Sequence, residues 1–67
     1  MDLKVIFNED GIKSRAHLWD VVFDVEEIKE NRFGSTINLI SKNEANEGDN
    51  IYNVHEIERI ELIFRKI

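Results

Sequence analysis

The chain has no cysteine and no proline, and only three glycines. Without cysteine it can build neither a disulfide framework nor a thiolate metal site. So little glycine and proline excludes a linker or a low-complexity tail. Basic residues are in deficit: nine Lys and Arg stand against fourteen Asp and Glu, a net charge of −5 with a pI near 4.9. The nine are scattered from Lys4 to Lys66, whereas duplex binding usually needs a basic face that displaces counterions from phosphates. Direct nucleic-acid binding is therefore disfavoured. Long apolar runs are missing too, and the opening MDLKVIFNED is too short and too charged for a signal peptide. No membrane association and a cytoplasmic location are the expectation.

What is present is pattern. With 42% hydrophobic residues in a chain of 67, residues 1–67 should form one domain around one small core. The stretch 17–41, HLWDVVFDVEEIKENRFGSTINLIS, predicts a β-hairpin with a long arm over 17–30, a turn at 31–35 and a return arm over 36–41. Trp19, Val21, Phe23 and Val25 alternate with Asp20 and Asp24, the pattern of a strand with one face on a core. After Val25 the phase slips, because Ile28 falls on an even position. One extra residue does this, so a bulge or sharp bend is expected near Glu26 and Glu27. Gly34 suits a turn that needs positive φ. A helix competes for 17–30, with Leu18, Val21, Val22, Val25 and Ile28 at helical spacing. Against it, Trp19 and Phe23 widen the apolar arc, and Glu26 and Glu30 sit inside it. The β-branched and aromatic composition favours the strand.

The flanking segments read as further strands. Residues 3–7 form the first, with Leu3, Val5 and Phe7 on one face. Asn8-Glu9-Asp10-Gly11 reads as a turn on its Asp-Gly pair, and 12–16 as an extended edge. Residues 42–50 hold one apolar residue in nine and predict an exposed, mobile loop. A short strand over 51–54 and a turn at His55-Glu56-Ile57 lead to a last strand over 58–64, with Ile60, Leu62 and Phe64 on one face. Tyr52 should pack its ring and keep its hydroxyl at the rim. Five or six such strands with hairpin connections predict an all-β antiparallel meander curling into a small barrel of the SH3-like or Sm-like kind.

The run YNVHEIERIELI over 52–63 has the rhythm of small β-barrels, in which a strand closes with a brief turn and the chain re-enters the sheet. With its Lys/Glu/Asn/Ile-rich composition, the chain resembles the short all-β accessory proteins carried by bacteriophages and mobile elements. That resemblance covers most of the chain and implies no activity.

Chemistry is thinly represented. HEIER at 55–59 begins like a zinc-protease HExxH motif, but Arg59 stands where the second histidine must be. His17 and His55 are the only histidines. Carboxylate pairs (Glu9/Asp10, Glu26/Glu27, Glu56/Glu58) have no enclosed pocket to split their pKa values. Ser14, Ser35 and Ser41 lie in no nucleophile turn. No catalytic residue, metal or cofactor is expected, and the chain reads as a non-enzymatic protein-interaction module.

Two surfaces are candidates. Several strands carry one apolar residue too many for a single buried face. Ile6, Val22, Ile40 and Ile63 should point away from the side holding Phe7, Trp19, Phe23 and Leu62, and should form a self-association surface. The alternative is an acidic stripe of Asp20, Asp24, Glu26, Glu27 and Glu30, with which an inhibitor could occupy a basic nucleic-acid-binding site on another protein. A third class, a single-strand binder, would need basic residues around Trp19, Phe23, Phe33 and Tyr52, and Asp20 and Asp24 flank two of these.

Overall fold

The computed structural model describes residues 1–41 and 50–64. The elements run β1 (Asp2–Phe7), α1 (Glu9–Arg15), β2 (Trp19–Val22), β3 (Val25–Glu30), β4 (Thr36–Ser41), β5 (Ile51–Asn53), a single 3-10 turn (Val54–Glu56) and β6 (Ile57–Ile63). The chain is mostly β, as its patterning predicts. The strands form two three-stranded antiparallel sheets, β2-β1-β6 and β3-β4-β5, in place of one continuous meander. No helix among the described residues is long and apolar enough to cross a membrane.

The long arm over 17–30 is strand, not helix, but it breaks in two. Asp24 takes a left-handed backbone (φ 57°), which few residues with a Cβ adopt without support. Support comes from Asp2, whose Oδ1 accepts from Asp24 N at 3.0 Å. The break sends β2 to one sheet and β3 to the other. Val25 stands at the corner: it bonds backbone to backbone with Met1 in both directions, and it also pairs with Ser41. The expected irregularity near Glu26 and Glu27 is there, as a register shift between Val25 and Glu27.

The turn at 31–35 also forms as its sequence predicts. Gly34 has φ 69°, and Asn31 Oδ1 accepts from Ser35 N (2.8 Å) and Thr36 N (3.2 Å). The last strand runs Ile57–Ile63 after a turn one residue earlier than expected. The exposed loop expected over 42–50 lies outside the described residues except for Asn50. That residue is buried, and its carbonyl accepts from Leu39 N at 2.9 Å.

Two expectations need correction. Residues 8–16 are not a turn and an edge strand but a short helix. Asn8 Oδ1 caps it by accepting from Gly11 N at 3.0 Å, Glu9 and Asp10 sit in its first turn, Lys13 and Arg15 in its last, and Ala16 closes it at φ 63°. The second correction is the choice of core face. Val22 lies opposite Leu3, so it shares the buried face of β1; Asp20 then points inward, and Trp19 and Val21 outward. The core is Leu3, Val5, Phe7, Val22, Val25, Ile37, Leu39 and Tyr52, with Ile12, Ile57 and Ile60 packed against it. Trp19, Phe23 and Leu62 are about half exposed (48%, 56% and 54%).

Gly11 is required by packing. A Cβ there would lie 2.3 Å from the Glu56 backbone oxygen and 2.8 Å from Phe7 Cβ, so α1 and the 3-10 turn touch through the missing side chain. Helix propensity alone would favour alanine at this position by about 1 kcal/mol. We expect the opposite sign: Gly11→Ala should destabilise the fold by about 1–3 kcal/mol, since a backbone oxygen must move. Urea unfolding measures it, and a stabilised variant would contradict the close approach.

Candidate functional site

Turning Asp20 inward creates the polar centre of the molecule. A carboxylate on a core-facing position needs partners, and two converge on it. Tyr52, from β5, donates its hydroxyl to Asp20 Oδ2 at 3.1 Å, and His17 Nε2 lies 2.6 Å from Asp20 Oδ1. The other ring nitrogen, Nδ1, lies 2.8 Å from the Arg15 carbonyl. Both ring nitrogens thus face acceptor oxygens. The Arg15 guanidinium sits over the rings of Phe7 (5.0 Å) and Tyr52 (4.8 Å), and the His17 ring meets Phe7 edge-on at 5.4 Å. The cluster ties the end of α1 to both sheets.

The side chains of the cluster are engaged with one another. Burial, and then the negative charge and hydrogen bond of Asp20, push the Tyr52 hydroxyl far above its ordinary pKa. It therefore stays a phenol that donates to the carboxylate. Glu56 is likewise engaged. Asn53 Nδ2 donates to its Oε1 at 2.6 Å, and that bond, with the charge of Arg15 nearby, holds its carboxyl below the usual range. His55 contributes its carbonyl, which accepts from Asn8 Nδ2.

The outward surface is of a different kind. On the outer face of the first sheet Trp19 lies opposite Ile6, and Val21 opposite Lys4. The Lys4 ammonium sits 4.1 Å from the Trp19 ring centre, a cation–π contact. Arg59, Glu61 and Ile63 continue this face on β6. A groove opens beside Trp19, walled by Lys4, Ile6, Ile12, Leu18 and Arg59. Leu18 is more than half exposed.

Of the four residues expected to share a surface, Ile6 and Ile63 do lie on this outer face. Ile40 lies on the outer face of the second sheet, opposite Glu27. Val22 is a correction, since it is buried in the core at 5% exposure, opposite Leu3. The structure supplies Trp19 and Val21 in its place. Their signal was the same alternation, read with its two faces exchanged.

The acidic stripe does not assemble as one line. Asp20 is drawn to His17 and Tyr52, and Asp24 forms the corner. Glu26, Glu27 and Glu30 are exposed on β3, where Glu27 and Glu30 face opposite sides of the sheet. Neither Trp19 nor Lys4 belongs to it.

No protein-family model matches the chain, and no curated protein or solved structure matches it.

Two outcomes follow from the polar centre. In a double-mutant cycle, Tyr52→Phe and Asp20→Ala should each cost about 1–3 kcal/mol and should couple by more than about 0.5 kcal/mol; additive losses in urea unfolding would show that the two groups act independently. For Glu56 the folded pKa lies below its unfolded value. The contribution is present above about pH 4.5 and is lost as pH falls through the lower folded value. The thermal midpoint should therefore fall more steeply in acid for the wild type than for Glu56→Gln, and parallel profiles would assign acid sensitivity to other groups.

Proposed function

We propose that the chain is a non-enzymatic protein-interaction module that associates with itself, built on a small SH3-like or Sm-like barrel. The barrel reading is supported by the way the chain passes from β2 in one sheet to β3 in the other about the Asp24–Val25 corner. The 3-10 turn that returns β6 to β1 supports it too. The non-enzymatic reading is supported by the Asp20 cluster, whose reactive side chains are consumed by one another. In scale and character the module is of the kind bacteriophages and mobile elements carry as accessory proteins.

One observation carries the interaction reading. The outer face of the first sheet keeps Trp19 and Val21 in water beside the half-buried Ile6, with Ile63 farther along the same face opposite Asp2. Single apolar residues on a surface are ordinary, but a contiguous set on one sheet face marks a contact surface. The acidic-inhibitor alternative has less to support it, because Asp20 is withdrawn into the core side and the remaining carboxylates divide between two faces.

Sedimentation equilibrium tests the self-association. The wild type is expected to be dimeric at high micromolar concentration, and Ile63→Lys, which places a charge on the outer face, to be a folded monomer. A wild type that stays monomeric throughout would remove self-association from the reading.

A further inference from the structure

The edge of the first sheet carries a sequence that is complementary to its own copy. β6 has β1 on one side and no strand on the other among the described residues. Arg59, Glu61 and Ile63 face outward along it, while Ile60 and Leu62 lie opposite Val5 and Leu3 on the core side. Arg59 Nε donates to Glu61 Oε2 at 3.0 Å, and both side chains are about half exposed (54% and 46%). Leu62, although on the core side, is more than half exposed, so the core stops short of this edge.

We propose that two copies pair edge to edge, β6 against β6, antiparallel about a two-fold axis at Ile60. This rests on the self-association proposed above and adds an edge contact that joins the two outer faces side by side. The result is a six-stranded sheet in the order β2-β1-β6-β6-β1-β2, with both Trp19 faces on the same side.

The register follows from charge. In an antiparallel pair, residues directly opposite share a face, and like charges placed opposite destabilise it. Centred on Ile60, Arg59 of each copy lies opposite Glu61 of the other, so the symmetry makes two opposite-charge pairs. Ile60 meets itself, and Leu62 reaches diagonally to the other copy's Ile60. Centring on Glu61 would set that carboxylate against itself; centring on Arg59 would do the same to the guanidinium. A centre between residues would join the core side of one copy to the outer face of the other. Only the Ile60 register pairs every charge at the centre with its opposite. Toward the start of the strand the regular stretch ends at Glu58, the extra residue where Ile6 pairs with Arg59 and Phe7 with Ile57. The paired run is short, and the dimer forms in a concentration-dependent way.

Charge reversal tests this register, with sedimentation equilibrium as the readout and circular dichroism as the check on folding. Arg59→Glu alone sets like charges opposite in both pairs, and so does Glu61→Arg alone. Each should weaken the dimer about tenfold or more. The double variant, Arg59→Glu with Glu61→Arg, should restore it. Mixing the two single variants should give a one-to-one heterodimer, because each then supplies the charge the other lacks. As a second measurement, Ile60→Cys introduces the only thiol of the chain on the two-fold axis, where the Cα separation of an antiparallel pair allows a disulfide. Mild oxidation should yield a covalent dimer. A wild-type dimer that ignores both reversals and does not cross-link at position 60 would overturn the edge register while leaving self-association standing. A monomeric wild type would overturn both.

Discussion

The first strand settles most of what this molecule becomes. β1 is hydrogen bonded on both sides, and Leu3, Val5 and Phe7 are almost wholly excluded from water. Residues opposite them inherit that face. Val22 lies across from Leu3, and strand geometry then leaves no freedom: Asp20 must point in, and Trp19 and Val21 must point out. A slip of one residue would bury the tryptophan and free the aspartate. The hydrophobic gain from burying Trp19 would be the larger on area alone, but Val22 and its neighbours fit a core that also holds Val25, Leu39 and Tyr52.

That choice of face accounts for both the polar centre and the wet surface. Asp20 points inward but its side chain stays about a third exposed (33%), so its desolvation is partial and is offset by hydrogen bonds. His17 and Tyr52 supply the partners, and Arg15 covers two rings beside them. Residues that in isolation suggest acid–base chemistry are used to fasten α1 and β5 to the first sheet. The same parity leaves Trp19 and Val21 in solvent, with Lys4 over the indole ring. The core and the wet outer face are two consequences of one register.

Helix α1 shows how a short element depends on its neighbours. Seven residues are too few to be stable as a free helix in water. It is held by the Asn8 cap, by the fit of Gly11 against Glu56, and by Arg15 against Phe7 and Tyr52. The 3-10 turn is thereby fixed from outside as well, and it aims β6 back along β1. The position of the edge strand is set by a glycine more than forty residues away in the sequence.

Local chemistry was legible in the amino-acid sequence alone. The strand over residues 3–7, the Asn31–Ser35 turn with Gly34, the phase slip after Val25 and the packed ring of Tyr52 all follow from alternation, turn chemistry and amphipathic side chains; the Tyr52 hydroxyl, expected at the rim, instead donates to Asp20. Helix α1 was written there too, in Asn8, the acids Glu9 and Asp10, and the bases Lys13 and Arg15. The Asp10-Gly11 pair speaks for a turn just as strongly, and only contact with Glu56 decides that Gly11 is in a helix. What no local pattern contains is which side of an apolar strand faces inward. Trp19, Val21 and Phe23 alternate as convincingly as Leu18 and Val22 oppose them, and the decision is made by pairing with Leu3, sixteen residues or more away. The corner at Asp24 is of the same kind, because its left-handed backbone is held by Asp2 from another strand. Sequence determined the strands and the Asn31–Ser35 turn, since those depend on neighbours along the chain, but not the helix at Glu9–Arg15. Tertiary structure decided the faces, the polar centre and the exposed surface, since those depend on which strand lies alongside.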